Sequence, residues 1–130
     1  MPLPPALLAL IPTLSVSGAS GVWGPGSSTG QWPSAWGTEA WVLPLESLLP
    51  EDSPAEPAEL SLQRLAQAGM AWEEVQIQVG ARSVLGCLVP DMGRARALRF
   101  GYRLDRWAVL RLVPQGVQAV YTGRNSRMPG

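Results

Sequence analysis

A chain of 130 residues has room for one domain and one modest core. Apolar residues make up 46%, which excludes wholesale disorder, while charged residues are only 15% against a usual share of about 25%. All ten basic residues are Arg and there is no His, which removes the commonest general base and the commonest zinc ligand together. The single Cys87 can form no internal disulfide and, without His, no metal site. It sits in the apolar run Val84, Leu85, Gly86, Cys87, Leu88 and Val89, and is expected to be a buried structural thiol.

The net charge of zero conceals a division along the chain. Residues 1–80 hold eight acids (Glu39, Glu46, Glu51, Asp52, Glu56, Glu59, Glu73, Glu74) and one Arg (Arg64), a sum of −7. Residues 81–130 hold nine Arg and two acids (Asp91, Asp105), a sum of +7. Such segregation predicts either opposed charged faces or pairing of the two halves across strands.

In chain order, Pro2, Pro4, Pro5 and Pro12 argue against a helix over the first twelve residues. The short apolar run at residues 7–11 has no preceding Arg or Lys and falls well short of about 20 residues, so neither a signal peptide nor a membrane span is expected. Residues 13–17 alternate and predict a first strand. Residues 18–37, rich in Gly and Ser and carrying Trp23, Trp32 and Trp36, predict a long loop that orders partly in the free chain. Its large indoles favour burial, either folded back on the barrel or docked on a neighbouring subunit, and these three are candidates for the subunit contact, the favoured reading. Residues 38–45 predict a second strand, with Pro44 marking an edge or an end.

The acidic, Pro-containing residues 51–57 read as a linker, and residues 58–68 as the one short helix, with Leu60, Leu62 and Leu65 on its apolar side and Gly69 as its cap. Val75, Ile77 and Val79 alternate with Gln76 and Gln78, a half-buried strand; Gly80 and Ala81 turn into a strand over 83–89. Pro90 to Gly93 has turn chemistry. Residues 97–100 and 102–104 predict a strand with a bulge at Gly101, with Arg94 and Arg96 on one side of extended chain. Residues 106–113 and 117–121 form a hairpin about Pro114, Gln115 and Gly116, and 122–130 a loose tail. The whole predicts a single, mainly β domain over residues 1–130, a small β-barrel or sandwich.

No catalytic, metal or cofactor-binding constellation emerges. Glu73 and Glu74 are adjacent, so on a strand they face opposite sides; no nucleophile motif occurs, and the Gly-rich stretch lacks the Lys and the helix of a phosphate loop. The chain is therefore expected not to be an enzyme and to need no cofactor. The one charge cluster, Arg94, Arg96, Arg99, Arg103, Arg106 and Arg111, has three readings: a solvated face, ion pairs with a neighbouring subunit, or phosphate contacts with nucleic acid, the first two preferred. Arg94, Arg96 and Arg99, with the three Trp, are the candidate interface residues.

The order of features resembles the head–tail joining (head-closure or stopper) proteins of tailed bacteriophages and related gene-transfer particles. The similar parts span residues 10–121: the early strand Thr13 to Val16, the Gly-rich stretch with Gln31 and Trp32, and Ala40 to Pro44. They continue through Glu59 to Gly69, the alternating strand Val75 to Val79, and Arg99 to Arg103 followed by a hydrophobic strand. The resemblance implies a β-barrel connector subunit in a homo-oligomeric ring, touching portal or adaptor and tail proteins, with possible contact to packaged DNA. It implies a place in the virion, assembled in the host cytoplasm, without a membrane. The other readings are a small Arg-rich β-barrel that binds nucleic acid, and a secreted or envelope β domain.

Overall fold

The computed structural model describes residues 5–25, 31–45, 58–103 and 108–122. The chain is mainly β: seven antiparallel strands form one curled, half-barrel sheet. A short helix α1 (Pro5–Leu10) and a 3-10 turn (Ile11–Thr13) lead into β1 (Ser15–Gly18) and β2 (Gly21–Trp23). There follow a 3-10 turn (Ser34–Trp36), β3 (Ala40–Pro44), α2 (Ala58–Gln67), β4 (Glu73–Val79) and β5 (Arg82–Pro90). Then come α3 (Arg94–Arg103), β6 (Ala108–Val113) and β7 (Gly116–Tyr121). The strand order is β2-β1-β4-β5-β3-β6-β7, so β2 and β7 are the ends of the sheet.

Alternation assigns the side chains to two cores. Leu14, Val16, Ala40, Val42, Val75, Ile77, Val79, Val84, Leu88, Ala108, Leu110 and Leu112 line the inside of the curl, joined by Trp36. Trp41, Leu43, Cys87, Val89 and Val109 point the other way, where Leu65 of α2 and Ala97 and Phe100 of α3 cover them. Every residue of β3 is consequently buried, because this strand lies mid-sheet with a core on both faces. Covered on one face only, β4 alternates: Val75, Ile77 and Val79 are buried, and Glu74, Gln76 and Gln78 are exposed. The β4–β5 hairpin turns on Gly80 and Ala81, with Gly80 at φ 61°, a value Gly supplies readily.

The strands expected near 13–17, 38–45, 75–79, 83–89, 106–113 and 117–121 are all present, as is the helix expected at 58–68. Leu65 is buried and Leu62 half-buried against the outer core; the Leu60 side chain lies outside the described residues. Pro44 marks an end and not an edge. β3 is central, and its pairing with β6 stops at Val42 and Leu110, two residues before the proline.

Three expectations need correction. The segment read as a bulged strand over 97–104 is helix as far as Arg103, so the fold has more than one helix. Ala97, Phe100 and Gly101 stand at i, i+3 and i+4 and are all buried, and this helical spacing outweighs the Arg-Ala alternation at 94–97. Secondly, Pro5 to Leu10 is helical despite the prolines, because Pro5 occupies the first position, where its missing N–H is no loss. Thirdly, residues 18–37 are not one long loop: they contain β2 and a 3-10 turn, with 26–30 outside the described residues. The linker at 51–57 and the tail at 123–130 also lie outside them.

Candidate functional site

The six candidate interface residues fall into two groups on opposite faces of the sheet. Trp23, Trp32 and Trp36 come together on the inside of the curl. Trp23 meets Trp32 edge to face at 5.0 Å between ring centres, and Trp32 meets Trp36 in the same way at 5.6 Å. The Trp32 indole donates to the Gly37 carbonyl at 2.7 Å, closing the turn that carries Trp36. Trp36 is fully buried, and Trp23 and Trp32 are half-buried against the same core. The indoles thus tie β2 and the 3-10 turn to this chain's own interior. Trp36 has no surface left to offer a partner in this conformation, and its indole nitrogen has no hydrogen-bond acceptor among the described residues.

Arg94, Arg96 and Arg99 lie on α3, on the other side of the sheet. Gly93 starts the helix by accepting from the Ala97 amide at 3.0 Å, and Ala97, Phe100 and Gly101 anchor it on the outer core. A Cβ at Gly101 would lie 2.6 Å from Val109 Cγ1 and 2.8 Å from Thr122 Cγ2, so a side chain there would hold the helix off β6. This anchoring turns Arg96, Arg99 and Arg103 outward at i, i+3 and i+7, in one row along the exposed side, with Arg94 at the helix start. Tyr102, 45% exposed, flanks the row. The geometry was legible in the spacing of Ala97, Phe100 and Gly101, but alternation at Arg94 to Ala97 pointed to a strand.

The structure separates Arg111 from this cluster. It lies on β6 opposite Trp41 of β3, and its Nε donates to Glu39 Oε2 at 2.6 Å. The Trp41 indole donates to Glu39 Oε1 at 2.7 Å. Burial pushes the Glu39 carboxyl up, but hydrogen bonds from Arg111 and Trp41, with the charges of Arg111 and Arg94, outweigh it and leave the pKa lowered. One pair of the kind expected between the acidic and basic halves therefore exists. Sequence reasoning did not single out Glu39, because an isolated Glu before a strand carries no local signal of its partner 72 residues away.

The remaining acids among the described residues serve local structure or stand apart. Glu73 accepts from the Ser20 amide at 2.9 Å and its hydroxyl at 2.7 Å, gripping the β1–β2 turn. Asp91, at φ 52°, donates its amide to the Glu39 carbonyl at 2.8 Å and accepts from Thr38 Oγ1 at 3.3 Å. Glu74 faces solvent on the opposite side of β4 from Glu73. The buried Cys87 thiol is pushed up to about 12, first by burial and then by the charge of Glu74, its cross-strand partner. A thiol in that state is not a nucleophile at neutral pH.

Among the described residues no three His, Cys, Asp or Glu side chains gather as a metal group, and no helix is long and apolar enough to cross a membrane. A shallow groove of about 380 Å³ at the β6–β7 hairpin is lined by Arg111, Val113, Gln115, Gly116, Val117 and Gln118. Comparison of the chain with protein-family models, with curated proteins and with solved structures finds no match.

Proposed function

We propose that this chain is a non-enzymatic structural subunit, a ring-forming head–tail connector of a tailed-phage virion that joins portal or adaptor proteins to the tail. The observation that carries the reading is the open sheet. A seven-stranded curl ends in β2 and β7, and among the described residues each of these strands pairs with one strand only, with the turn Ile11–Thr13 lying against β7. β7 runs six residues, Gly116 to Tyr121, with no charge and no proline, two of the features by which edge strands ordinarily repel further pairing. An uncharged edge at one end of a sheet suits contact with a different surface of a neighbouring copy. Repeated head to tail, that contact closes into a ring. The resemblance of residues 10–121 to head-closure proteins supplies the particular assembly.

Light scattering of the purified chain over a range of concentrations tests the reading. The expected outcome is growth from one chain to a single closed oligomer of fixed mass, and incorporation of the chain into particles when portal and tail proteins are supplied. A mass of one chain at every concentration, with no incorporation, overturns it.

A further inference from the structure

We propose that the exposed face of α3 is a contact surface for the phosphate backbone of nucleic acid, read without regard to base sequence. The inference goes beyond the assembly reading and does not depend on it.

Charge is the first support. α3 carries four Arg and no acid, and all four side chains are exposed. No ion pair joins Arg94, Arg96, Arg99 or Arg103 to any of the described residues, whereas Arg111, elsewhere in the same half, is held by Glu39. Four guanidinium groups on one short helix repel one another, and an anionic partner relieves that repulsion.

Shape is the second. At 1.5 Å per residue the row Arg96, Arg99 and Arg103 spans about 10.5 Å, comparable to the roughly 12 Å width of the major groove. A guanidinium presents a fixed fork of donors that matches phosphate oxygens two at a time. The row is also preorganised. Ala97 and Phe100 are buried and Gly101 lies against β6, so little ordering of the helix remains to oppose binding.

The choice of partner follows from what this surface lacks and what surrounds it. The exposed face carries Arg without Asn, Gln, Glu or Asp beside it; Arg grips phosphate oxygens and guanine edges alike, so equal affinity for AT-rich and GC-rich duplexes is what distinguishes backbone contact from base reading. Docking of a second copy would need an acidic row to meet the basic one. Of the four acids whose side chains are described, Glu39 and Glu73 are engaged, Asp91 is bonded to Thr38 and Glu74 stands exposed, so these four form no such row.

Anisotropy titration of the full chain against a labelled, mixed-sequence DNA duplex, at several salt concentrations, tests the proposal. Each phosphate contact contributes about 0.9 to the slope of log affinity against log salt. The wild-type chain is expected to show a slope of about −3 or steeper, with equal affinity for AT-rich and GC-rich duplexes. Replacing Arg96, Arg99 and Arg103 together with Gln is expected to flatten the slope by about 2.7 and to weaken binding at low salt at least tenfold. The thermal midpoint is expected to stay unchanged, since these side chains are solvated. Absence of binding by the wild-type chain, or an unchanged slope in the triple variant, overturns the proposal. So does preferential, Arg-dependent binding of polyglutamate over the duplex, which would assign the face to an acidic protein. Native mass measured on the same samples reads the assembly separately: a monomer that binds duplex through these Arg residues sinks the ring and leaves this surface standing.

Discussion

Glu39 is where the divided charge of the chain is partly reconciled. Its carboxylate takes one donor from Arg111 and one from Trp41, so it fastens β3 to β6 at the level where Trp41 and Arg111 stand opposite each other. Hydrogen bonds to a charged acceptor contribute about 1.5–3 kcal/mol each when well formed, less where solvent competes, as at this half-buried pair. The Glu39→Gln variant is expected to lose about 1–2 kcal/mol at pH 7. The folded-state pKa of Glu39 lies below its ordinary value of 4.5, so its contribution is fully present above that value. It is lost as pH falls through the lower, folded-state pKa. Urea unfolding in a pH series checks the sign: the difference between wild type and variant should shrink on acidification below about 4.5. A constant difference across that window would show that the carboxylate charge contributes nothing.

α3 is the element whose nature decides what the Arg cluster can do. As a strand it would place Arg94 and Arg96 on one face and Arg99 on the other, since successive side chains alternate. As a helix it gathers Arg96, Arg99 and Arg103 into a row and buries Ala97, Phe100 and Gly101. Gly101 is a poor helix former, about 1 kcal/mol worse than Ala, yet a methyl there would collide with Val109 and Thr122. Close packing is therefore expected to override propensity: Gly101→Ala should destabilise the fold by about 1–3 kcal/mol, the usual cost of overpacking. A denaturant midpoint that rises in this variant would mean that α3 is only loosely seated on β6, and that the Arg row is not held in place.

At the scale of the molecule the sheet is curled but open, and the chain's beginning spans the gap. The turn Ile11–Thr13 touches both β4 and β7, which lie four places apart in the sheet, while Leu10 and Ile11 pack on the inner core. A charge at Ile11 would put a carboxylate against Leu and Val side chains with no partner. Ile11→Asp is expected to cost about 1–3 kcal/mol, in line with burying a large aliphatic side chain. Hydrogen exchange should quicken first in β7, at the end of the sheet, before β5, which is paired on both sides. Uniform quickening in all strands would mean that this turn is not a local brace.

The alternation at Val75 to Val79, the apolar runs of β3 and β5 and the turn residues at Gly80 and Pro114 are local signals. The sequence alone therefore determined most of the strands, the helix at residues 58–67, the mainly β class and the burial of Cys87. Each depends on periodicity or turn chemistry within a few residues. Three matters depended on contacts far apart in sequence and were decided only by the tertiary structure. Arg111 was drawn out of the basic cluster by Glu39, which a strand pairing brings beside it. The three Trp residues became internal braces because the curl gave them an apolar interior to enter. The segment at 94–103 became helix because the outer face of β3, β5 and β6 needed apolar cover; its Ala97, Phe100 and Gly101, at helical spacing, supply that cover together, while a strand would have turned Phe100 to the face opposite Ala97 and Gly101.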